Sequence, residues 1–411
     1  MEVLAHGIGT RIDLPIPVFY AFAAALAALF VSFLGLAVLW REPRFRGAAA
    51  GRPVPFLERA ADSRAVRGVL RAGGLAAAAM ITWFLVAGPA DPARNPAPWL
   101  VYIVFWVGLA PVSLVFGPVW RLVNPLRTVV PLVRAMWRRP PRPLPERLGL
   151  LPATAGLLAF TWMELVWPEP AATSTLMVFG AVYTVAHLAG VAVYGTAWLD
   201  RADAFEVYSA LAGALSPLGR RSDGRLVLRG PFSGLSALPG ERGLVATVCV
   251  LLGGTAYDGL SSAPAWADLL QSGSLGPTLT GTLGLLGTIG VVAGLYLVCA
   301  GRTTEFAHSL VPVAVGYLVA HYFSLLVIDG QRAVILALGV DAKPDDTVVT
   351  PATIATVQVI AIIVGHVLGV IAAHDRALRL FSAGQAVSRQ IPLFLLMVGY
   401  TLGGLALLLV T

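Results

Sequence analysis

The chain has 411 residues, of which 57% are hydrophobic and only 12% charged, with a formal net charge of +7. Soluble domains carry about 25% charged residues, so this composition excludes a soluble globular protein. It implies an all-α, polytopic bundle of helices in a cell membrane.

A spanning helix needs about 20 mostly apolar residues. Ten stretches qualify, at approximately 17–40, 69–88, 98–119, 148–168, 172–198, 244–260, 277–300, 304–328, 352–373 and 391–410. The patterns at 69–88 and 244–260 are the weakest. With the N-terminus outside, only Arg11, Arg94, Arg332 and Lys343 of the basic residues lie outside, and all others fall in inner loops. Arginine retained on one side is the positive-inside pattern. It predicts both termini outside, excludes a nucleic-acid partner, and sets the arginines against the anionic headgroups of the bilayer.

The first segment, "MEVLAHGIGTRIDLPIP", is too short and polar for a complete signal peptide, yet "LAHG" has the form of a cleavage junction. Two readings stand: an external tail, or a truncated signal peptide whose removal leaves His6 at the mature N-terminus. The inner loop 41–68 is rich in Arg and Pro. The next, "WRLVNPLRTVVPLVRAMWRRPPRPLPERLG", predicts an interfacial amphipathic helix around 122–138, ended by its prolines. In the longest inner loop, 199–243, Asp203 is placed to cap a short helix containing Glu206, and "RRSDGRLVLRG" predicts a small hairpin. This loop is too short for a separate domain, so residues 1–411 read as one membrane domain.

In "GTLGLLGTIGVVAG", Gly281, Gly284, Gly287, Gly290 and Gly294 recur at three and four residues, a pattern that predicts a close helix contact. Segment 330–351 has too few apolar residues to cross and is expected to dip into the interface or cover a cavity. Cys249 and Cys299 lie within spans and belong to neither a disulfide framework nor a zinc motif.

The spans carry titratable groups. An ionised carboxylate at the centre of a span costs about 2.5–3.5 kcal/mol, so each must pair, bind a metal or become neutral. At 1.5 Å rise per residue, two layers emerge. Glu164, Asp258 and His321 lie about 22–27 Å above the inner boundary, with Asp329 and the tail bearing His6 just above. His187, His308 and His366 lie about 8–16 Å above it, with Glu305, His374 and Asp375 below. Neither H-x-x-x-H nor H-E-x-x-H occurs, so a metal would need ligands from several helices. Carboxylates and histidine at one depth are the ligand set of a divalent zinc, iron or manganese ion. Ordinary helix-to-helix hydrogen bonds would use the same residues. No G-x-S-x-G elbow is present. No lysine lies in a span, which excludes a retinal-type Schiff base. The tyrosines Tyr257 and Tyr322 and the tryptophans Trp99, Trp120, Trp167 and Trp198 near the span ends read as aromatic belts.

The stretches "LAHGIGTRIDLPIP", "RLVNPLR", "AFEVYSALAGALSP", "AYDGLSSAP", "FAHSLVPVAVGYLVAHYFSLLVIDGQ" and "GHVLGVIAAHDRA" resemble a family of actinobacterial polytopic membrane proteins that carry the name fenitrothion hydrolase. The resemblance extends over nearly the whole chain. It implies cleavage of an aryl phosphotriester, an organophosphate. Tyr257 stands where relatives tend to have Phe, Asp329 where they tend to have Glu, and the N-terminus is shorter than theirs.

The leading expectation is therefore a metal-dependent hydrolase that takes a small apolar ester from the outer leaflet. Asp258, Glu164, His321 and His6 would be the ligands, with Asp258, His321 and Asp329 in the chemistry. His187, His308, His366 and Glu305 would form the second polar layer. A transporter or metal-handling permease, and a scaffold without chemistry, are the alternatives.

Overall fold

The computed structural model describes residues 18–301 and 303–409. Among them ten helices are long and apolar enough to cross a membrane. They are α1 Val18–Leu39, α2 Arg64–Ala87, α3 Pro96–Phe116, α4 Glu146–Leu165, α5 Thr173–Tyr194, α6 Leu244–Ser261, α7 Pro277–Cys299, α8 Ala307–Leu338, α9 Pro351–Leu380 and α10 Gly384–Leu409. Both weak patterns are helices. Ten crossings put Val18 and Leu409 on one side, and the arginine-rich loops on the other, called inner below.

Lipid tails are as apolar as leucine, so helices in a bilayer associate through close packing and hydrogen bonds. The tightest seam joins α8 and α9. A Cβ on Gly316 would stand 2.6 Å from the Ala361 carbonyl, one on Gly365 2.6 Å from that of Pro312, and one on Gly369 2.7 Å from that of Ser309. Gly365 and Gly369 form a G-x-x-x-G. This contact, absent from the sequence reading, makes α8 the centre of the bundle: its residues Ser309 to Leu318 are all buried. At the other extreme, α2 has no buried residue, and one face alone packs, through Gly74 against the Val123 carbonyl and through the partly buried Ile81, Phe84 and Leu85.

The glycine run of α7 departs from expectation. Only Gly281 and Gly284 approach neighbours, Val166 and Tyr257 in one case and Trp266 and Tyr257 in the other, whereas Gly287, Gly290 and Gly294 meet nothing within 4 Å. Helix α6 also comes close to this helix, where its Gly253 lies against Ile289. Helix α8 also differs, because it continues unbroken through Asp329 and Gly330 to Leu338. The segment expected to dip into the interface therefore begins as helix.

On the inner face, the interfacial helix runs Pro125–Met136, and Asp203 caps the helix Ala204–Gly213. The hairpin forms from β2 Leu218–Arg220 and β3 Leu226–Leu228. A third strand, β1 Arg52–Pro53, pairs antiparallel with β3 on its free edge, giving the order β1-β3-β2. Two residues carry too little periodicity to announce a strand.

Candidate active site in the outer half of the bundle

The site begins with the glycines of "GGTAYDGLS". Gly254 lets α6 lie against Thr161 of α4, Gly253 against Ile289 of α7, and Gly259 against Leu407 of α10. Asp258 is thereby carried into the middle of the outer half, facing α8. Its Oδ2 accepts two hydrogen bonds from consecutive residues there, one from His321 Nε2 at 2.9 Å and one from the Tyr322 hydroxyl at 2.8 Å. Ser261 Oγ closes the helix end on the Asp258 carbonyl at 2.7 Å. The side chains of His321 and Asp258 keep 18% and 12% of their surface, so the pair is shielded but reachable. Tyr317, one turn earlier, stacks on the imidazole at 6.4 Å.

Glu164 enters from α4. It is half-buried and within electrostatic range of Asp258 and of the hydroxyls of Tyr102, Tyr208 and Tyr322. Tyr102 belongs to a π-helical stretch of α3, Leu100–Val107, and donates to the Pro170 carbonyl at 2.8 Å. Tyr208 is buried against Trp106 at 4.6 Å.

One expected member stands apart. Asp329 is eight residues beyond His321, about 12 Å along α8. It is buried, and its Oδ2 has no hydrogen-bond partner among the described residues. Arg332 is the nearby charge, and its guanidinium lies 4.8 Å over Trp99. His6 lies outside the described residues. Among the described residues no three His, Cys, Asp or Glu side chains are grouped to hold a metal ion.

The second layer is not assembled. His187 accepts from Trp198 Nε1 at 3.0 Å. His366 Nδ1 meets the Ile362 carbonyl of its own helix at 2.8 Å. His308 Nδ1 meets the Glu305 carbonyl at 3.0 Å, and Glu305 pairs with Arg376. His374 ties Gln390 to the Trp40 carbonyl, while Asp375 accepts from the amides of Arg44 and Phe45 and from Arg379 Nε. Of that layer only His308 and Glu305 come together, on the wall of one cavity with Asp375 and Arg376, while His187 and His366 are held elsewhere.

A larger polar network joins Asp203 and Glu206 to Asn124 and Arg127, which no sequence pattern singles out. Asn124 Nδ2 donates to Asp203 Oδ2 at 3.0 Å and to Glu206 Oε1 at 2.8 Å. Arg127 grips both oxygens of Glu206 at 2.5 and 2.6 Å and reaches Asp200 at 2.5 Å. Burial pushes the Glu206 carboxyl above the ordinary carboxylate range, and Arg127 pulls it back. This network pins the interfacial helix under the bundle. Tyr322 was the other omission, because depth alone reads it as belt. Its signal was adjacency to His321 at the level of Asp258.

No family model, curated protein or solved structure matches the chain.

Proposed function

We propose that the chain is a membrane-embedded hydrolase whose Asp258–His321 pair activates water against an apolar ester entering from the outer leaflet. The carrying observation is the doubly bonded Asp258 Oδ2. With Nε2 held by a carboxylate, Nδ1 is the nitrogen that no described residue engages, and it meets the water. As the water oxygen attacks phosphorus, Nδ1 takes its proton. Asp258 orients the ring and stabilises the imidazolium, as the acid of a catalytic triad does. Tyr322 holds the Asp258 charge in place. The bond from phosphorus to the aryl oxygen breaks, and the leaving aryloxide recovers the proton from His321. The aryl phosphotriester class follows from the family resemblance. A substrate dissolved in lipid would reach the pair sideways.

Oδ2 and Nε2 are engaged with each other, so the donor set fits an acid–base pair better than a zinc, iron or manganese centre. No step here runs through a metal. Passage across the membrane is less well supported. Between His308 and His321, α8 presents only Ser309 and Tyr317 as polar side chains, both buried, with Ser309 bonded back to the Phe306 carbonyl. Along α8 that apolar band lies between His321 and His308.

The test uses the purified full-length chain in lipid nanodiscs, with release of 4-nitrophenolate from a paraoxon-type ester as the readout. Turnover that disappears in Asp258→Asn and His321→Ala, with folding intact by circular dichroism, supports the reading. Absence of turnover in the parent protein, or equal turnover in both variants, overturns it.

A further inference from the structure

A cavity of about 70 Å³ lies at the inner ends of α8 and α9, beneath the loop that follows α1 and the short helix Pro231–Leu235. It lies far from the proposed active site, since His308 on its wall and His321 are thirteen residues apart, about 20 Å along α8. One wall is apolar, made by Phe45 stacked on Phe232 at 4.6 Å. The other is charged, with Glu305, Asp375, Arg376 and Arg379. The two carboxylates are not equivalent. Asp375 is 2% exposed and fully used by two backbone amides and Arg379. Glu305, with 41% of its side chain exposed, holds only one end of Arg376. Arg376 Nε is buried and meets no acceptor among the described residues. An N–H hidden from water without an acceptor is unfavourable, more so on a charged group.

We infer that this cavity binds a phosphate group at the inner face of the membrane, gripped by Arg376 with Arg379 beside it. A guanidinium presents two parallel N–H groups that match the oxygens of a phosphate. With Glu305 displaced, two guanidiniums face the single carboxylate of Asp375, a positive balance suited to an anionic headgroup on the inner side, and the volume admits one tetrahedral group. Glu305 is the mobile counter-charge that occupies Arg376 until the phosphate arrives. The same chemistry is offered by the phosphodiester of a phosphatidylglycerol-type lipid and by free inorganic phosphate.

The experiment measures the melting temperature of the detergent-solubilised full-length chain as phosphatidylglycerol, phosphatidylcholine or inorganic phosphate is titrated in. A saturable rise with phosphatidylglycerol alone assigns the site to a headgroup, and a rise with inorganic phosphate as well assigns it to the free anion. In either case Arg376→Gln weakens the apparent affinity about tenfold or more. Glu305→Gln strengthens it, because the competing carboxylate is gone. Loss of a merely structural ion pair would instead lower the melting temperature in both variants without moving affinity in opposite directions. No rise with any probe, or equal affinity in Arg376→Gln and the parent, overturns the inference.

Discussion

The outer and inner halves of the bundle use the same residue types to opposite ends. In the inner half, His187, His308, His374 and Asp375 are each bonded to a neighbouring side chain, amide or carbonyl. In the outer half, Asp258 concentrates two donors on a single oxygen and leaves His321 one nitrogen to use, with Glu164 close by. A polar side chain in a membrane protein therefore cannot be assigned a role from its depth. The deciding question is which partner holds it: a carboxylate holds His321, whereas an indole or a carbonyl holds His187, His308 and His366.

The sharpest way to break this contrast is to disarm the outer pair. His321→Ala is expected to lower ester hydrolysis by about 10²- to 10⁴-fold, the usual contribution of a general base, whereas His187→Ala leaves the rate within a few fold. Stopped-assay initial rates check both. Hydrolysis is expected to survive chelation. Loss on chelation, with recovery on adding zinc, would transfer the chemistry to a metal involving His6.

Next in size is the inner network. Arg127→Met leaves Glu206 buried without its cation, a change that costs about 3–5 kcal/mol, read as a lower denaturation midpoint. Burial already raises the Glu206 carboxyl, and losing Arg127 raises it further. A carboxyl raised in the folded state is stabilising below its unfolded value, and that stability is lost as pH rises through the folded one. The variant is thus weakest at neutral pH and recovers on acidification. The double change Arg127→Met, Glu206→Leu should regain most of the loss.

A smaller effect is expected at the α8–α9 seam. Gly365→Val places a side chain where a Cβ already stands 2.6 Å from the Pro312 carbonyl, and overpacking of this kind costs about 1–3 kcal/mol. Thermal melting checks it. If hydrolysis also falls, the seam positions His321.

The least effect belongs to the exposed sheet. Arg220 holds the Asp62 carboxyl below its ordinary value of 3.8. That contribution is present above the ordinary value and is lost as pH falls through the lowered one. An exposed pair is worth little and is screened by salt. Protection from hydrogen exchange at Leu226–Leu228, taken relative to intrinsic exchange at each pH, should fall slightly on acidification, and less so in Asp62→Asn.

The ten helices were legible because twenty apolar residues have few other uses, and Asp203 was legible as a cap because its partners are two and three residues away. Asp258 and His321 were legible as polar groups at one depth. Their contact, between residues 63 positions apart, depends on glycines that look alike in every span: those of α7 were conspicuous and mostly open, while Gly253, Gly365 and Gly369 were inconspicuous and decisive. The Asn124–Arg127–Glu206 network was hidden for the same reason, since neither polarity nor spacing announces which distant carboxylate an arginine will meet.

The π-helical stretch Leu100–Val107 has a further consequence. Such a stretch turns less per residue than an α-helix, so its length sets the angle between the parts of α3 on either side. Changing that length by a position would re-aim Trp99 under Arg332 or Trp106 against Tyr208. This segment therefore tolerates side-chain exchange far better than any change in length.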